Sequence, residues 1–280
     1  MFPLRNLRPG ERMKAVSIIT ACKNRELSLR VSLMTWMQFK EVAEIIITDW
    51  SSDKSLNYLT EWDKRIKVIS VPDQKYFNQP QPLNIAASVA SSQKILKLDN
   101  DHILNPYYNF FKDYKINEES FLCGRNDYES DVYRGCWGML YVYRKNFWNV
   151  GGFNEDMGQY YSYEDDDMTH RLELSGLQMK KIIPETHRII HMPHPDGRRI
   201  EHFQGDAELS DYEVRLRKKM GERFSGNSLD KRVGGIMSSR HNYNNRMQFD
   251  LSEVKEPVVQ RKYHWNVEKI NDQEYRATPA

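Results

Sequence analysis

Two aspartates separated by one residue, Asp99 and Asp101, follow a short apolar segment at 94–98. Carboxylate oxygens are preferred ligands of hard divalent cations, and such cations bridge phosphate oxygens in phosphate-transfer sites. The same residues also suit an ordinary turn, because aspartate and asparagine side chains form hydrogen bonds with nearby backbone. The spacing therefore leaves two interpretations open, a cation site or a turn.

The usual phosphate-binding loops are missing from the places where they would be needed. No Gly-x-Gly-x-x-Gly follows the first predicted strand, and no Walker A loop occurs. These loops hold phosphate through close backbone contact. If the protein binds a nucleotide diphosphate, a metal ion must therefore neutralise its charge.

A run of acidic residues at 164–167 begins a predicted helix. In helical phase, Glu164 and Asp165 lie four and three positions before Met168, on the face predicted to be inward. An inward carboxylate is unfavourable unless a metal, a hydroxyl or a cation meets it, so these two residues are candidates for chemistry. The alternative is a solvated helix N-terminus, where acidic residues favour the positive end of the helix dipole.

The other two acids of this run are predicted to face outward. Asp166 lies four residues before His170, and Asp167 lies four residues before Arg171. Pairs at this spacing stabilise a helix by about 0.2 to 0.5 kcal/mol each.

The elements that must position these residues alternate between strands and helices. The predicted strands are Ala15–Thr20, Glu44–Thr48, Ile66–Val71 and Lys94–Leu98, and the predicted helices are Glu26–Phe39, Asp53–Trp62 and Pro82–Ser92. In the first helix, the predicted inward stripe is Leu27, Val31, Met34 and Met37. Strands joined by single helices predict a parallel α/β sheet, whose ligands bind beyond the carboxyl ends of the strands. Polar clusters at 20–25, 49–53 and 99–102 follow three of these strands.

Composition limits the class of protein further. The 280 residues predict one large domain, and a formal net charge of +2 argues against nucleic-acid binding. Three cysteines, Cys22, Cys123 and Cys136, do not suit a disulfide framework or a structural zinc site. No apolar run reaches the roughly 20 residues of a membrane helix, and the N-terminus lacks the pattern of a secretory signal. We therefore expect a cytoplasmic protein without a transmembrane segment.

The last third of the chain is less regular. We predict a helix at Ala207–Met220, whose basic run at 215–219 contacts either solvent or an anionic surface, and a loose end at Asn271–Ala280. The predicted organisation is an N-terminal arm at 1–14, a catalytic domain at 15–222 and a C-terminal extension at 223–280.

Taken together, five motifs resemble glycosyltransferases of the GT-A fold. They are 16–20 with Asn24-Arg25, 44–49 with 51–53, Asp99-x-Asp101, 151–155, and Glu164-Asp165. Their order resembles family 2 inverting transferases, and the later half resembles the β-1,4-galactosyltransferase and chondroitin-type enzymes. The resemblance implies a Rossmann-like mixed sheet flanked by helices, a nucleotide-sugar donor, a carbohydrate or glycan acceptor, and bound Mn²⁺ or Mg²⁺. It also implies transfer with inversion, which forms a β-glycosidic bond.

The resemblance assigns roles residue by residue. The donor-binding residues it implies are Thr20, Asn24, Arg25, Asp49, Asp99, Gly151 and Gly152. Asp49 would contact uracil or ribose, although it also suits a helix cap. The glycines would bring backbone near the sugar, although they also suit a helix-ending turn. Asp165 would be the catalytic base and Glu164 a sugar contact.

Asp101 would bind the metal directly, and Asp99 would contact ribose or metal-bound water. A third ligand usually follows in this fold, and two histidines three residues apart are available. His191 is the first candidate and His194 the second. Carboxylate with imidazole suits Mn²⁺ better than Mg²⁺.

The segment before the acidic run departs from the galactosyltransferases, which carry tryptophan and glycine there. The aromatic residues available here for stacking on sugar rings, or for ordinary core packing, are Tyr160, Tyr161, Tyr163, Trp137 and Trp148. Two other functions use the same motifs. A nucleotide-sugar hydrolase would lack an ordered acceptor, and a binding module would lack turnover.

Overall fold

A computed structural model describes residues 15–124, 138–155, 164–182, 189–192 and 265–280. The strands are β1 (Val16–Cys22), β2 (Val42–Trp50), β3 (Ile66–Val71), β4 (Lys94–Lys97), β5 (His102–Leu104), β6 (Ser120–Cys123), β7 (Leu140–Tyr143), β8 (Gln178–Lys181), β9 (Ile189–His191), β10 (Trp265–Lys269) and β11 (Glu274–Pro279). The α-helices are α1 (Glu26–Trp36), α2 (Pro80–Val89), α3 (Phe110–Asp113), α4 (Arg144–Asn149) and α5 (Glu164–Leu174).

Most of the strands form one mixed sheet. Across the described ranges its order is β10-β11-β3-β2-β1-β4-β7-β6-β8, and β5 and β9 form a separate two-stranded sheet. The neighbours β3, β2, β1 and β4 run parallel, as their connections through helices predict. β7 then runs antiparallel to β4. The mixed α/β sheet expected from the GT-A resemblance is therefore confirmed.

The apolar core lies on both faces of the sheet. All seven residues of β1 are buried, which explains why its sequence is an apolar run rather than an alternation. On one face, α1 packs with Leu33 and Trp36. On the other face, α2 packs with Leu83 and α5 packs with Met168 and Leu172. The sheet thus fixes both α1 and α5 relative to the end of β4.

The predicted inward stripe of α1 is wrong. Leu27, Val31 and Met34 are exposed, whereas a second series at Leu29, Leu33 and Trp36 is fully buried. Of the predicted stripe, Met37 alone packs against the core, and it lies just past the end of α1. Both series have helical spacing, so periodicity alone does not separate them. The buried series includes the largest apolar side chain of the helix, and Trp36 Nε1 also donates a hydrogen bond to the carbonyl of His102.

The second predicted helix is shorter than expected. A 3₁₀ helix at Asn57–Glu61 replaces the predicted helix at Asp53–Trp62. The preceding residues instead form a loop in which Ser51 has a positive φ of 53°. β3 covers the predicted residues, and the bounds of β1, β2, β4 and α2 differ from the predictions by one to three residues at an end.

The predicted loose end at Asn271–Ala280 is also wrong. β11 runs parallel to β3 and extends the main sheet. Ala277 is fully buried, and the side-chain amide of Gln273 donates to the carbonyl oxygens of Thr60, Asp63 and Ile66. Residues 265–280 therefore belong to the same sheet as the predicted catalytic domain.

Several predictions lie outside the described residues. They concern the arm at 1–14, the boundary at 222–223, the helix at Ala207–Met220 and the basic run at 215–219. Cys22 and Cys123 are buried free thiols, and Cys136 lies outside the described ranges. Among the helices that the structure describes, none combines the length and the hydropathy needed to cross a membrane.

Candidate active site

The acidic turn after β4 is fixed to β1 and α1 through its central residue, Asn100. The Asn100 amide accepts a hydrogen bond from Thr20 Oγ1 at 3.1 Å and donates one to the Ala21 carbonyl at 2.8 Å. Ser32 Oγ donates to the Asn100 carbonyl at 2.8 Å. These contacts hold the turn that carries Asp99 and Asp101. Thr20, predicted to contact the nucleotide, is fully buried beneath this turn.

A possible metal-binding group is formed by Asp99, Asp101 and His102. One ligand atom from each residue lies within 4.8 Å of the others. Asp101 and His102 are buried, and the Asp99 side chain is about one third exposed. His102 was not predicted as a site residue. Its Nδ1 accepts a hydrogen bond from the backbone N–H of Asp99 at 3.1 Å.

The pairing of β5 with β9 brings His191 to the same place. His102 lies opposite His191 in this antiparallel pair, and His191 Nε2 is 3.7 Å from Asp101 Oδ1. The backbone N–H of Met192 also donates to the Asp101 carbonyl at 2.8 Å. His191, the first candidate for a third ligand, is therefore close to the predicted metal carboxylate. His194 lies outside the described residues.

Arg25 places a positive charge on the other side of Asp101. It lies just before α1, and its guanidinium is 2.9 Å from Asp101 Oδ2. Two residues with separate predicted roles, one toward the nucleotide and one toward the metal, thus lie in direct contact.

Lys97 links the acidic turn to the acidic helix. Its fully buried ammonium lies 2.9 Å from Asp99 Oδ1 and 3.0 Å from Asp165 Oδ1. Burial lowers the pKa of Lys97, but the charges of Asp165, Asp99 and Glu164 outweigh burial and raise the pKa above its usual value. Burial likewise raises the pKa of Asp99, but Lys97 and His102 lower it to about 2. Lys97 is therefore a cation and Asp99 an anion at neutral pH.

The acidic helix α5 begins directly opposite this turn. Glu164 is buried and Asp165 is about one third exposed, and both lie on the inward side of α5, as their helical phase predicts. The prediction that Asp167 points outward is wrong, because Asp167 is almost fully buried. It does pair with Arg171 at 2.8 Å, as expected. The predicted pair of Asp166 with His170 lies outside the described side chains.

Arg171 explains the burial of Asp167. Its guanidinium donates to the carbonyl oxygens of Val150 and Gly152, so the ion pair lies beneath the glycine turn rather than in solvent. The helical phase of α5 does not predict this contact, because Val150 and Gly152 lie outside the helix.

Two polar contacts fix the turn at Gly151 and Gly152, which have positive φ angles of 82° and 69°. The Asn84 side chain of α2 accepts from the Phe153 N–H and donates to the Phe153 carbonyl, each at 2.8 Å. A Cβ on Gly152 would lie 2.5 Å from Asn84 Oδ1. The described contacts therefore match the alternative of a helix-ending turn, and a donor contact by either glycine stays a prediction.

Asp49 likewise serves the structural role that its sequence allowed. It is buried, and its two oxygens accept the backbone N–H groups of Ser52 and Leu56, both at 3.1 Å. Burial raises the pKa of Asp49, although these hydrogen bonds oppose the shift. Its predicted contact with the nucleotide stays a prediction.

Asn24 and Lys23 shape the loops around Asp49. Asn24, with a positive φ of 55°, accepts the N–H of Asp53 through its side-chain oxygen at 2.8 Å. Lys23, which the sequence did not single out, donates to the carbonyl oxygens of Trp50, Ser51 and Gln74. The loops after β1, β2 and β3 are thereby held together at the carboxyl edge of the sheet.

The backbone of Gly138 packs against the ion-paired side chains of Lys97, Asp99 and Asp165. Gly138 has a φ of 85°, and a Cβ there would lie 2.6 Å from Asp99 Oδ2 and 2.9 Å from both Asp165 Oδ2 and Lys97 Nζ. This close approach requires glycine. No sequence motif marked Gly138 as a site residue.

Trp148 is the one predicted stacking residue that the structure describes. Its ring packs edge-on against Phe147 at 5.0 Å between centroids, at the margin of the core. This agrees with the core-packing alternative. Tyr160, Tyr161, Tyr163 and Trp137 lie outside the described residues.

Part of the chain matches a known protein family. Residues 122–195 match a family model described as the N-terminal domain of galactosyltransferase. This segment contains Gly138, α5 and His191. Among curated proteins, none has a sequence that matches the chain at the significance required.

Solved structures share the fold over most of the chain. Staphylococcus aureus TarS in complex with UDP-GlcNAc is 16% identical, with a TM-score of 0.54, over 76% of this chain and 67% of the TarS fragment. The catalytic domain of Drosophila β-1,4-galactosyltransferase 7 with xylobiose is 15% identical, with a TM-score of 0.51, over 95% and 94% of the two chains.

The matched region covers only part of the TarS structures. This chain spans 66% of the unliganded TarS fragment and 40% of a longer TarS structure. The architecture shared with these proteins is the GT-A fold, which confirms the predicted fold class. Together with the family-model match over residues 122–195, it confirms the predicted resemblance.

Proposed function

We propose that this protein is a metal-dependent inverting glycosyltransferase. It moves a hexosyl or N-acetylhexosaminyl group from a nucleotide-sugar, preferably a UDP-sugar, to a hydroxyl group of a carbohydrate acceptor. The observation that carries the proposal is the placement of Asp165. The Asp165 carboxylate of α5, about one third exposed, pairs with the same lysine as Asp99 of the acidic turn, so the proposed base and a proposed donor-binding carboxylate share one site.

The charge of the site supports a divalent cation. The carboxylates are Asp99, Asp101, Glu164 and Asp165, and the permanent cations are Lys97 and Arg25. Four negative and two positive charges leave two negative charges, which is a poor environment for a diphosphate. Asp101, His191 and Asp99 or His102 offer the oxygen and imidazole ligands that suit Mn²⁺. When bound, such an ion supplies charge neutralisation for the diphosphate.

Asp165 supplies the base for the transfer step. Its carboxylate accepts the proton of the acceptor hydroxyl as that oxygen forms a bond to the anomeric carbon. The bond from the anomeric carbon to the diphosphate oxygen breaks, and the nucleoside diphosphate leaves. A single displacement inverts the centre, so an α-linked donor gives a β-linked product. Glu164, buried beside Asp165, is the proposed contact to the sugar.

The nucleotide half of the site lies on the other side of the acidic turn. The loop after β1 carries Asn24 and Arg25, and Asp49 lies at the end of β2, just before the loop that follows it. These loops lie at the carboxyl ends of parallel strands, where α/β sheets bind nucleotides. TarS, which shares this fold, has been crystallised with UDP-GlcNAc, and this supports a UDP-sugar as the first donor to test.

The first experiment measures donor binding and its dependence on metal. We expect a UDP-sugar with Mn²⁺ to raise the unfolding temperature, because a ligand at 100 times its dissociation constant adds about 2.7 kcal/mol of stability. UDP-, GDP- and dTDP-sugars are compared with and without EDTA. Asp101→Asn should lose the metal-dependent stabilisation, whereas Asp272→Asn, on the exposed β10–β11 turn, should keep it.

Product analysis then separates transfer from the two rival functions. Transfer requires an acceptor, so the nucleoside diphosphate should form with the glycoside in equal amounts. Release of free sugar at the same rate without acceptor would identify a hydrolase. Donor binding without turnover on any acceptor would identify a binding module, and full transfer in excess EDTA would exclude a metal-dependent enzyme.

A further inference from the structure

Lys97 is a fully buried lysine, which is rare in folded proteins. It is the last residue of β4, it is fully buried, and its neighbours Leu96 and Leu98 are buried apolar side chains. Lysine is almost never fully buried unless it is paired. Its two partners come from different parts of the fold, Asp99 from the turn after β4 and Asp165 from α5, 68 residues away in sequence.

The two contacts have a specific geometry. The ammonium lies 3.0 Å from Asp165 Oδ1 and 3.3 Å from Asp165 Oδ2, so it faces both oxygens of that carboxylate. The same nitrogen lies 2.9 Å from Asp99 Oδ1. One buried cation therefore fixes the distance between the carboxylate of the donor-binding turn and the carboxylate of the base.

The backbone around Lys97 leaves it little freedom. A Cβ on Gly138 would lie 2.9 Å from the Lys97 Nζ, so the Gly138 backbone closes one side of the ammonium. Lys97 also pairs with Leu140 in the β4–β7 ladder, which holds its backbone in the main sheet. The sheet therefore fixes the backbone of Lys97, and the Gly138 backbone and the two carboxylates confine its ammonium.

We propose that Lys97 is a positioning residue that orients the base Asp165 toward the donor-binding turn. The inference rests on the proposed function, since it assigns to Lys97 a role in the same transfer reaction. Lys97 does not touch the reacting atoms in this role. It holds Asp165 so that the acceptor hydroxyl meets the carboxylate at the distance needed for attack. Misplacement of a reacting group by about 1 Å costs on the order of 100-fold in rate.

A double-mutant cycle tests this role. We expect Lys97→Met, of similar size without the charge, to lower kcat about 100-fold while the donor dissociation constant changes less than tenfold. If Lys97 acts through Asp165, adding Lys97→Met to Asp165→Asn should lower kcat by less than threefold further, because the group that it positions is already disabled. Lys94→Met, at the start of the same strand against the Tyr143 ring, is the control and should keep wild-type kcat in both backgrounds.

The outcomes separate the inference from the function on which it rests. No transfer by the wild-type protein with any donor refutes the proposed function. If the wild-type protein transfers sugar and Lys97→Met has the same kcat, the role of Lys97 is overturned. The role is also overturned if Lys97→Met lowers kcat as much in the Asp165→Asn background as it does in the wild-type protein. If Lys97→Met does not fold, Lys97→Gln replaces it in the same cycle, because its shorter, uncharged amide does not replace the ammonium between the two carboxylates and the same fall in kcat is expected. If neither variant folds even with saturating donor, the role is also overturned, because Lys97 is then required for folding rather than for positioning Asp165.

Discussion

Gly138 shows how a residue without a side chain shapes the proposed site. Its Cα hydrogen points to the place where the carboxylates of Asp99 and Asp165 meet the ammonium of Lys97, and its φ is positive. Gly176 has a similar φ of 91°, but a Cβ there meets nothing within 4 Å. Substitutions at these two glycines therefore distinguish the effect of backbone strain, which both share, from the effect of crowding, which occurs only at Gly138.

Gly138→Ala should reduce transfer much more than Gly176→Ala. Both variants should lose about 1 kcal/mol of stability from the left-handed backbone conformation. In Gly138→Ala the new methyl group must also displace the three ionic groups, and we expect kcat to fall at least tenfold. Thermal unfolding and steady-state kinetics measure the two effects. Equal kcat values for the two variants would show that crowding at Gly138 does not matter.

Single residues were predictable where the reason lay in their own segment. Asp99 and Asp101 follow an apolar strand, and the helical phase placed Glu164 and Asp165 on the inward side of α5. Lys97 was not predictable, because its partner in α5 is 68 residues downstream. Asp167 was placed on the wrong side, because the carbonyl groups that hold Arg171 come from another element.

At the scale of elements, a buried carboxylate joins the amino ends of several strands. Glu44 of β2 accepts hydrogen bonds from Ser17 Oγ of β1 at 2.6 Å and from the Ser91 N–H before β4 at 2.6 Å. Its other oxygen pairs with Lys67 of β3. Burial raises the pKa of Glu44, but Lys67 and the hydrogen bonds outweigh burial, and the net pKa is below its usual value.

Glu44→Gln should destabilise the protein in a pH-dependent way. A carboxyl whose pKa is lower in the folded state stabilises the fold above its unfolded pKa of about 4.3, and this contribution is lost as pH falls through the folded pKa. We expect a loss on the order of 3 kcal/mol at pH 7 that shrinks below about pH 4. Denaturant unfolding from pH 7 to pH 3 measures the loss. Exposed Glu61→Gln is the control, and a loss that is equal at all pH values would contradict the account.

Secondary elements were predictable in kind more than in detail. The alternation of apolar runs and helical patterns indicated β1 to β4 and their parallel order, because each run is buried on both faces. The inward face of α1 was not predictable, since its two apolar series have equal periodicity and the choice depends on where Trp36 packs. β11 was missed because only one of its six residues is buried, so its sequence lacks an apolar run.

At the scale of the whole molecule, the site lies where two halves of the sheet meet. The parallel strands β1 to β4 carry the proposed nucleotide side, and β7, antiparallel to β4, precedes α5 with the proposed base Asp165. Residues 265–280 complete the opposite edge of the sheet beside β3. The fold thus brings Asp99 of the acidic turn and Asp165 of α5 together from segments far apart in sequence, which is the arrangement that the proposed transfer between two substrates needs.

The most direct test of the proposed function is the transfer rate of Asp165→Asn together with the linkage of the wild-type product. Asparagine keeps the size of the side chain but cannot take the proton, so transfer should fall about 10² to 10⁴-fold while donor and metal still bind. Glu173→Gln on the same helix is the control. Proton NMR should show a β-linked product from an α-linked donor. Transfer by Asp165→Asn at the wild-type rate, or an α-linked product from the wild-type protein, would contradict the proposed function.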